Sequence, residues 1–223
     1  VESFLREDLG VELKGTLDDE TVSIPSSARL ANLVSDFASR SGDARPVTAA
    51  FLGKLNRQRT VAGTPKKLTL ELGGKAANII FEDAPLDQAV EGIINGIFFN
   101  QGHVCCAGSR LLLEESIAES FVEKLKTRME KLRVGNPLDK NTDVGAINSS
   151  GEHVKIRKLI ETGKAEGGEY FEPASITLPN KGYFHKPCFF NRVSSAFTLS
   201  RVEVFGPVLA ISTFRTTQEA ITK

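Results

Sequence analysis

Between residues 86 and 98 the apolar positions Leu86, Ala89, Val90, Ile93, Ile94, Ile97 and Phe98 recur at intervals of three and four. That spacing winds onto one stripe of an α-helix, and a stripe so broad has to be covered by a core. Short apolar runs stand on either side, Asn78-Ile79-Ile80-Phe81 before it and Arg110-Leu111-Leu112-Leu113 after it. The second has the unbroken apolar character of a strand buried on both faces. Strand, long helix, strand is the pattern of a βαβ unit, so the chain is expected to be an α/β protein built on a parallel sheet. Right-handed crossovers then gather strand-end loops along one edge, where sites in such folds usually form.

The remaining pattern agrees. A strand is expected at residues 68–72 and another at 207–214, where Pro-Val-Leu-Ala-Ile-Ser-Thr-Phe reads as a buried run. Ile117, Phe121, Leu125, Met129 and Leu132 mark a second helix, closed by Gly135-Asn136-Pro137. A third helix is expected over residues 151–164, and Thr216-x-x-Glu219 has the spacing of a capping box. Upstream, only residues 27–40 carry helical spacing, after Pro25-Ser26-Ser27 and before Gly42. Residues 44–70 contain six basic and no acidic residues. Without interleaved aromatics, that run reads as a solvated surface before it reads as a phosphate-binding one.

Composition narrows the function classes. Of 223 residues, 40% are hydrophobic and 25% charged, the proportions of a folded domain. Formal net charge is zero, which gives no reason to expect a nucleic-acid or membrane-surface partner. No apolar run approaches the roughly 20 residues needed to span a bilayer. Three cysteines, two of them adjacent, cannot form a disulfide framework, so a reducing, cytoplasmic setting is expected. His103, His153 and His185 lack the spacing of metal ligands, and no metal site is expected.

Two segments can carry chemistry. In Phe98-Phe99-Asn100-Gln101-Gly102-His103-Val104-Cys105-Cys106-Ala107-Gly108-Ser109, a cysteine pair follows a glycine turn and precedes a strand. A thiolate there is a strong nucleophile if a base or a lowered pKa activates it, although a free cysteine is more often a small buried hydrophobe. In Leu70-Glu71-Leu72-Gly73-Gly74-Lys75, a carboxylate at a strand end precedes two glycines that let backbone approach a ligand closely. Alone, Glu71 reads as a surface residue in a turn, and Lys75 as a residue that orders the Gly73-Gly74 turn. Cys188, between Pro187 and Phe189-Phe190, reads as core.

Together, these segments resemble the glutamate and cysteine signatures of the aldehyde dehydrogenase superfamily, with 34 residues between Glu71 and Cys105. A third segment, Glu203-Val204-Phe205-Gly206-Pro207-Val208, is similar to that family's Glu-x-Phe-Gly-Pro motif. Gly182-Tyr183-Phe184 with Pro187, and Thr142-Asp143-Val144-Gly145-Ala146, sit where the family has comparable segments. The resemblance runs over residues 68–223. It implies Cys105 as nucleophile, with Cys106 as its structural neighbour and Glu71 as general base. It further implies that Leu72, Gly73, Glu203 and Phe205 bind NAD or NADP, with Glu203 on ribose hydroxyls and Phe205 beside the nicotinamide. The implied reaction oxidises a small aldehyde to a carboxylic acid through a cysteine thiohemiacetal and thioester.

The chain also departs from the family pattern. His103 stands where Gln or Glu is usual. The protein has no Trp, hence no Pro-Trp-Asn segment, and no match to the adenosine-binding Lys-Pro-x-Glu. Residues 48–51 read as a surviving strand, followed by a contracted glycine turn at residues 51–55. The expected organisation is a shortened remnant of a Rossmann-like cofactor domain over residues 1–67. A parallel-sheet catalytic domain, incomplete at its C-terminal end, follows over residues 68–223. A truncated or divergent member of this kind is expected to form a homo-oligomer. Alternatively, it is a catalytically impaired interaction module that associates with another chain.

Overall fold

The computed structural model describes Val61, residues 64–68 and residues 73–223. The chain divides into two units, Val1–Glu71 and Leu72–Lys223, and the second carries the fold. The expected helix at residues 27–40, the strand at residues 48–51 and the glycine turn at residues 51–55 lie outside the described residues. So do Glu71 and Leu72. Of the expected strand at residues 68–72, only Leu68 is described, and it is not in a strand.

Among the described residues five strands form a single sheet: β1 (Ala77–Ile80), β2 (Arg110–Glu114), β3 (Glu169–Phe171), β4 (Cys188–Asn191) and β5 (Val208–Phe214). Their spatial order is β1-β2-β5-β4-β3. The pairs β1–β2, β2–β5 and β4–β5 are parallel, with Ile79 opposite Leu112 and Leu112 opposite Ser212. The sheet is mostly parallel, as expected, with the β3–β4 pair at one edge antiparallel. The connection from β3 to β4 over residues 172–187 contains no helix, and an antiparallel pair needs no crossover helix.

Three helices fall where periodicity places them. Helix α1 (Leu86–Phe98) buries Val90, Ile93, Ile94, Ile97 and Phe98 and leaves Asp87, Glu91 and Gly92 in solvent. Helix α2 (Ala118–Met129) buries Phe121, Val122, Leu125 and Met129. It ends six residues before Gly135, earlier than the glycine stop suggests. Helix α3 (Ser150–Ala165) begins at Ser149, whose side chain accepts the Glu152 N–H at 3.2 Å. After the short α4 (Thr198–Arg201), α5 (Thr217–Thr222) is capped by Thr216, which accepts the Glu219 N–H at 3.2 Å. The capping box is only half formed, because the Glu219 carboxylate accepts from Arg215 N at 2.9 Å instead.

Strand alternation sorts the core into two faces. Leu111, Leu113, Phe189, Leu209 and Ile211 pack against α1 and α2. Cys188, Phe190, Val208 and Ala210 point the other way, onto Ile156 and Ile160 of α3 and Leu199 of α4. Each of these Val, Leu, Ile and Phe side chains contributes about 1.5–3 kcal/mol by leaving water. Cys188 is fully buried, as expected of a core residue, but it sits in a strand that the sequence pattern does not announce. No helix among the described residues is long and apolar enough to cross a membrane.

Candidate active site

The candidate chemistry sits in segments that immediately precede strands: residues 73–76 before β1, residues 99–109 before β2, and residues 203–207 before β5. Because β1, β2 and β5 are parallel, all three segments meet on the amino-terminal edge of the sheet. That is the edge opposite the one where open α/β sheets generally bind ligands. Topology alone therefore moves the site away from the usual place.

The cysteine loop begins where α1 ends. Asn100 and Gln101 adopt left-handed backbone, with φ of 49° and 54°, and Gly102 follows at 74°. Gly102 is packed so closely that an added Cβ would stand 2.2 Å from the Gly206 carbonyl oxygen. The loop is stitched internally by His103 N donating to Asn100 O (3.0 Å) and Asn100 Nδ2 donating to His103 O (3.1 Å). Gln101 Oε1 accepts the Gly145 N–H at 3.0 Å, tying in residues 142–146. Ile147 N donates to Tyr183 O at 2.7 Å, which brings residues 182–187 to the same edge.

Cys105 and Cys106 form the tip of a turn closed by Ala107 N donating to Val104 O at 3.1 Å, and both are exposed. Beyond the tip, the loop is fixed on three sides. Gly108 N donates to Gly96 O in α1 at 3.2 Å, and Asn78 Nδ2 of β1 donates to Gly108 O at 3.3 Å. Ser109 Oγ accepts from Lys75 Nζ at 3.3 Å, while Ser109 O accepts from Ala210 N of β5 at 3.0 Å. Both thiols at the turn are free of disulfides and exposed. Cys188 is the chemical contrast: burial pushes its thiol up to about 12, so it stays protonated and inert.

Gly73, Glu203 and Phe205 frame this loop. A Cβ on Gly73 would lie 2.7 Å from Glu203 Oε2, so the carboxylate rests on bare backbone. Phe205 has φ of 55°, a strained conformation for a residue with a Cβ and one that persists where the surroundings enforce it. Its ring lies 5.4 Å from that of His103. Burial lowers the His103 pKa, with Glu152 opposing and Lys155 adding, and Nε2 is buried with no partner among the described residues. Lys75 is brought down to about 8, chiefly by burial and then by Arg110, against the pull of Glu203.

The structure thus brings Gly73 to Glu203 and Phe205 to His103, which precedes Cys105 by two positions in the chain. Sequence reasoning missed the tethers Asn78 and Gln101. Asn78 carried a signal, a carboxamide breaking an otherwise apolar strand.

An aldehyde dehydrogenase family model matches residues 50–223. Retinal dehydrogenase 2 of Rattus norvegicus is 43% identical over 170 residues, covering 76% of this chain and 33% of that protein. The cytosolic aldehyde dehydrogenase 1 of the same species is 42% identical over 170 residues, 76% of this chain and 34% of its own length. Among solved structures, the NAD-dependent aldehyde dehydrogenase of Sinorhizobium meliloti superposes with a TM-score of 0.69 at 34% identity, covering 78% of this chain and 34% of that one. Betaine aldehyde dehydrogenase of Staphylococcus aureus, in complex with NAD+, gives 0.68 at 34% identity, covering 76% and 34%. The chain therefore spans about a third of the length of these relatives. With a matched model over most of its length and the cysteine and Glu-x-Phe-Gly-Pro segments meeting on one sheet edge, the chain belongs to the aldehyde dehydrogenase family.

Proposed function

We propose that this chain carries the nucleophile of an NAD(P)-dependent aldehyde oxidation, with Cys105 as the attacking thiol. The observation that carries the reading is the exposed Cys105 turn, rigidly held on both sides and flanked by the strained Phe205 segment. A relative named as NAD-dependent and another solved in complex with NAD+ support the cofactor class.

Cys105, as thiolate, attacks the aldehyde carbon and forms a thiohemiacetal, whose oxyanion the Cys105 backbone N–H stabilises. A bound nicotinamide supplies the hydride acceptor. Loss of hydride from the thiohemiacetal carbon leaves a thioester on Cys105. Glu71 takes a proton from water, which attacks the thioester and releases the carboxylic acid and the thiolate. The residues present suit a nicotinamide nucleotide. Gly73 leaves a cradle beside Glu203 that a Cβ would fill, Leu72 adjoins it in sequence, and a carboxylate is the natural acceptor for two ribose hydroxyls.

The test is steady-state reduction of NAD+ or NADP+ with a panel of small aldehydes. Cys105→Ser is expected to bring turnover to background and abolish rapid iodoacetamide labelling, while Cys106→Ser keeps turnover within a few fold. Glu71→Gln is expected to retain a burst of reduced cofactor and lose steady turnover. Activity that survives Cys105→Ser would refute the assignment.

A second reading is an interaction module in a cytoplasmic assembly, either a homo-oligomer or a complex with another chain. It is favoured by Phe99 and Leu138, large apolar side chains that are 70% and 89% exposed. Calorimetric titration separates the two: cofactor binding supports the enzyme, whereas no binding together with a stable hetero-complex supports the module.

A further inference from the structure

The cysteine loop and the segment before β5 meet at neighbouring residues of each. Gly102 backs onto Gly206, where an added Cβ would stand 2.2 Å from the carbonyl oxygen. The adjoining residues meet through their side chains: the His103 ring lies 5.4 Å from the Phe205 ring, tilted by 52°. That separation is within the range of packed aromatic pairs. Both segments are held in backbone that ordinary residues avoid. Phe205 has φ of 55°, and Asn100 and Gln101, shortly before the histidine, have 49° and 54°. Such a conformation persists where the surroundings over-determine it. For Phe205 the surroundings are Gly206, packed against Gly102 and against Ile156 of α3, and the His103 ring.

The imidazole contributes shape at this contact. Its Nε2 is buried without a partner among the described residues, so no hydrogen bond through that nitrogen places the ring. Burial holds the pKa below its ordinary value, with Glu152 opposing and Lys155 adding, so the ring is uncharged at neutral pH. The loop is closed here by backbone groups instead, His103 N donating to Asn100 O and His103 O accepting from Asn100 Nδ2. A flat ring also stands where the family pattern usually has the flexible chain of Gln or Glu. We propose that His103 is a positioning residue whose ring, packed on Phe205, holds that segment in its left-handed backbone against the cysteine loop and so sets the surface a nicotinamide would meet. This rests on the proposed function for the nicotinamide, but not for the His103–Phe205 contact itself.

Variants of the full chain separate ring packing from hydrogen bonding. His103→Phe keeps a ring and drops both nitrogens, whereas His103→Gln and His103→Met keep a long side chain without a ring. In the ligand-free protein, Phe205, assigned through Phe205→Leu, is expected to give the strong amide–Hα Overhauser cross-peak of left-handed backbone. His103→Phe should keep that cross-peak, and His103→Gln and His103→Met should both weaken it. In steady-state assays the Gln and Met variants should raise the KM for NAD+ about two- to tenfold, the scale of one aromatic pair, while the KM for aldehyde stays within about twofold and His103→Phe restores the NAD+ value. A cross-peak that survives in His103→Gln or His103→Met overturns the proposal. So does its loss in a His103→Phe variant that unfolds at the wild-type urea midpoint. If the larger ring makes that variant unfold earlier, the Gln and Met variants decide by the same criterion. A KM rise shared equally by NAD+ and aldehyde also overturns the positioning role. If the cross-peak behaves as expected but wild type neither binds nor reduces NAD+, the His103–Phe205 contact stands and the nicotinamide reading fails.

Discussion

Gly102→Ala tests whether the cysteine loop and the Phe205 segment are held together as tightly as the structure shows. Two penalties act at this residue. Its φ of 74° is left-handed, which costs a residue with a Cβ about 1–2 kcal/mol. The new methyl would also stand 2.2 Å from Gly206 O and 2.5 Å from its carbonyl carbon. Those are backbone atoms, and the Gly206 carbonyl is itself held by the Val208 N–H at 2.8 Å, so no side chain can swing aside. Overpacking of this kind costs about 1–3 kcal/mol. Together the two effects predict a destabilisation of about 2–5 kcal/mol. Gly74→Ala is the matched control, because a Cβ there meets nothing within 4 Å among the described residues and its φ is not left-handed. It should change stability by less than about 0.5 kcal/mol. Urea unfolding read by circular dichroism gives both values, and iodoacetamide labelling of Cys105 reports whether the turn has shifted. If Gly102→Ala unfolds at the same urea midpoint as Gly74→Ala, the packing argument for this edge is wrong.

Two further outcomes follow from helix α1 and from the histidines near α3. Gly92 lies on the solvent face of α1 with nothing within 4 Å of an added Cβ, so Gly92→Ala should raise stability by about 0.5–1 kcal/mol in the same urea assay; a loss of stability would contradict the exposed placement. Burial lowers the His185 pKa, with His153 at 6.2 Å between ring centroids adding to the effect and the Lys186 carbonyl opposing it. Its unfolded value near 6.5 therefore exceeds the folded one, so the associated stability is complete above about pH 6.5 and is lost as pH falls through the folded value. Urea midpoints between pH 5 and 8 should decline on the acid side, and His185→Gln should flatten that decline; an unchanged slope would refute the linkage.

Much of the secondary structure was legible in the sequence because it rests on local periodicity. The stripe from Leu86 to Phe98, the helix through Phe121 and Met129, and the runs at β2 and β5 each report burial through their spacing. Strand β4 was not legible. Cys188-Phe189-Phe190-Asn191 carries neither alternation nor a long apolar run, and its role is fixed by pairing with β5 and β3. The catalytic candidate Cys105 was visible from its glycine-rich surroundings and its resemblance to the family signature. Its contrast with Cys188 was not, since both are cysteines beside small or aromatic neighbours. One is exposed at a turn and the other is sealed between sheet and α3.

The sequence by itself determined the α/β class, the helices that flank the sheet and the segments proposed for the chemistry. Each of these depends on residues close together along the chain. Only tertiary structure decided the strand order, and with it the amino-terminal edge on which residues 73–76, 99–109 and 203–207 meet. Pairing Leu112 with both Ile79 and Ser212 joins residues more than 30 positions apart, and no local spacing encodes which distant partner a buried strand selects. The same long-range packing sets Glu203 on Gly73 and ties the half-buried Lys75 to Ser109.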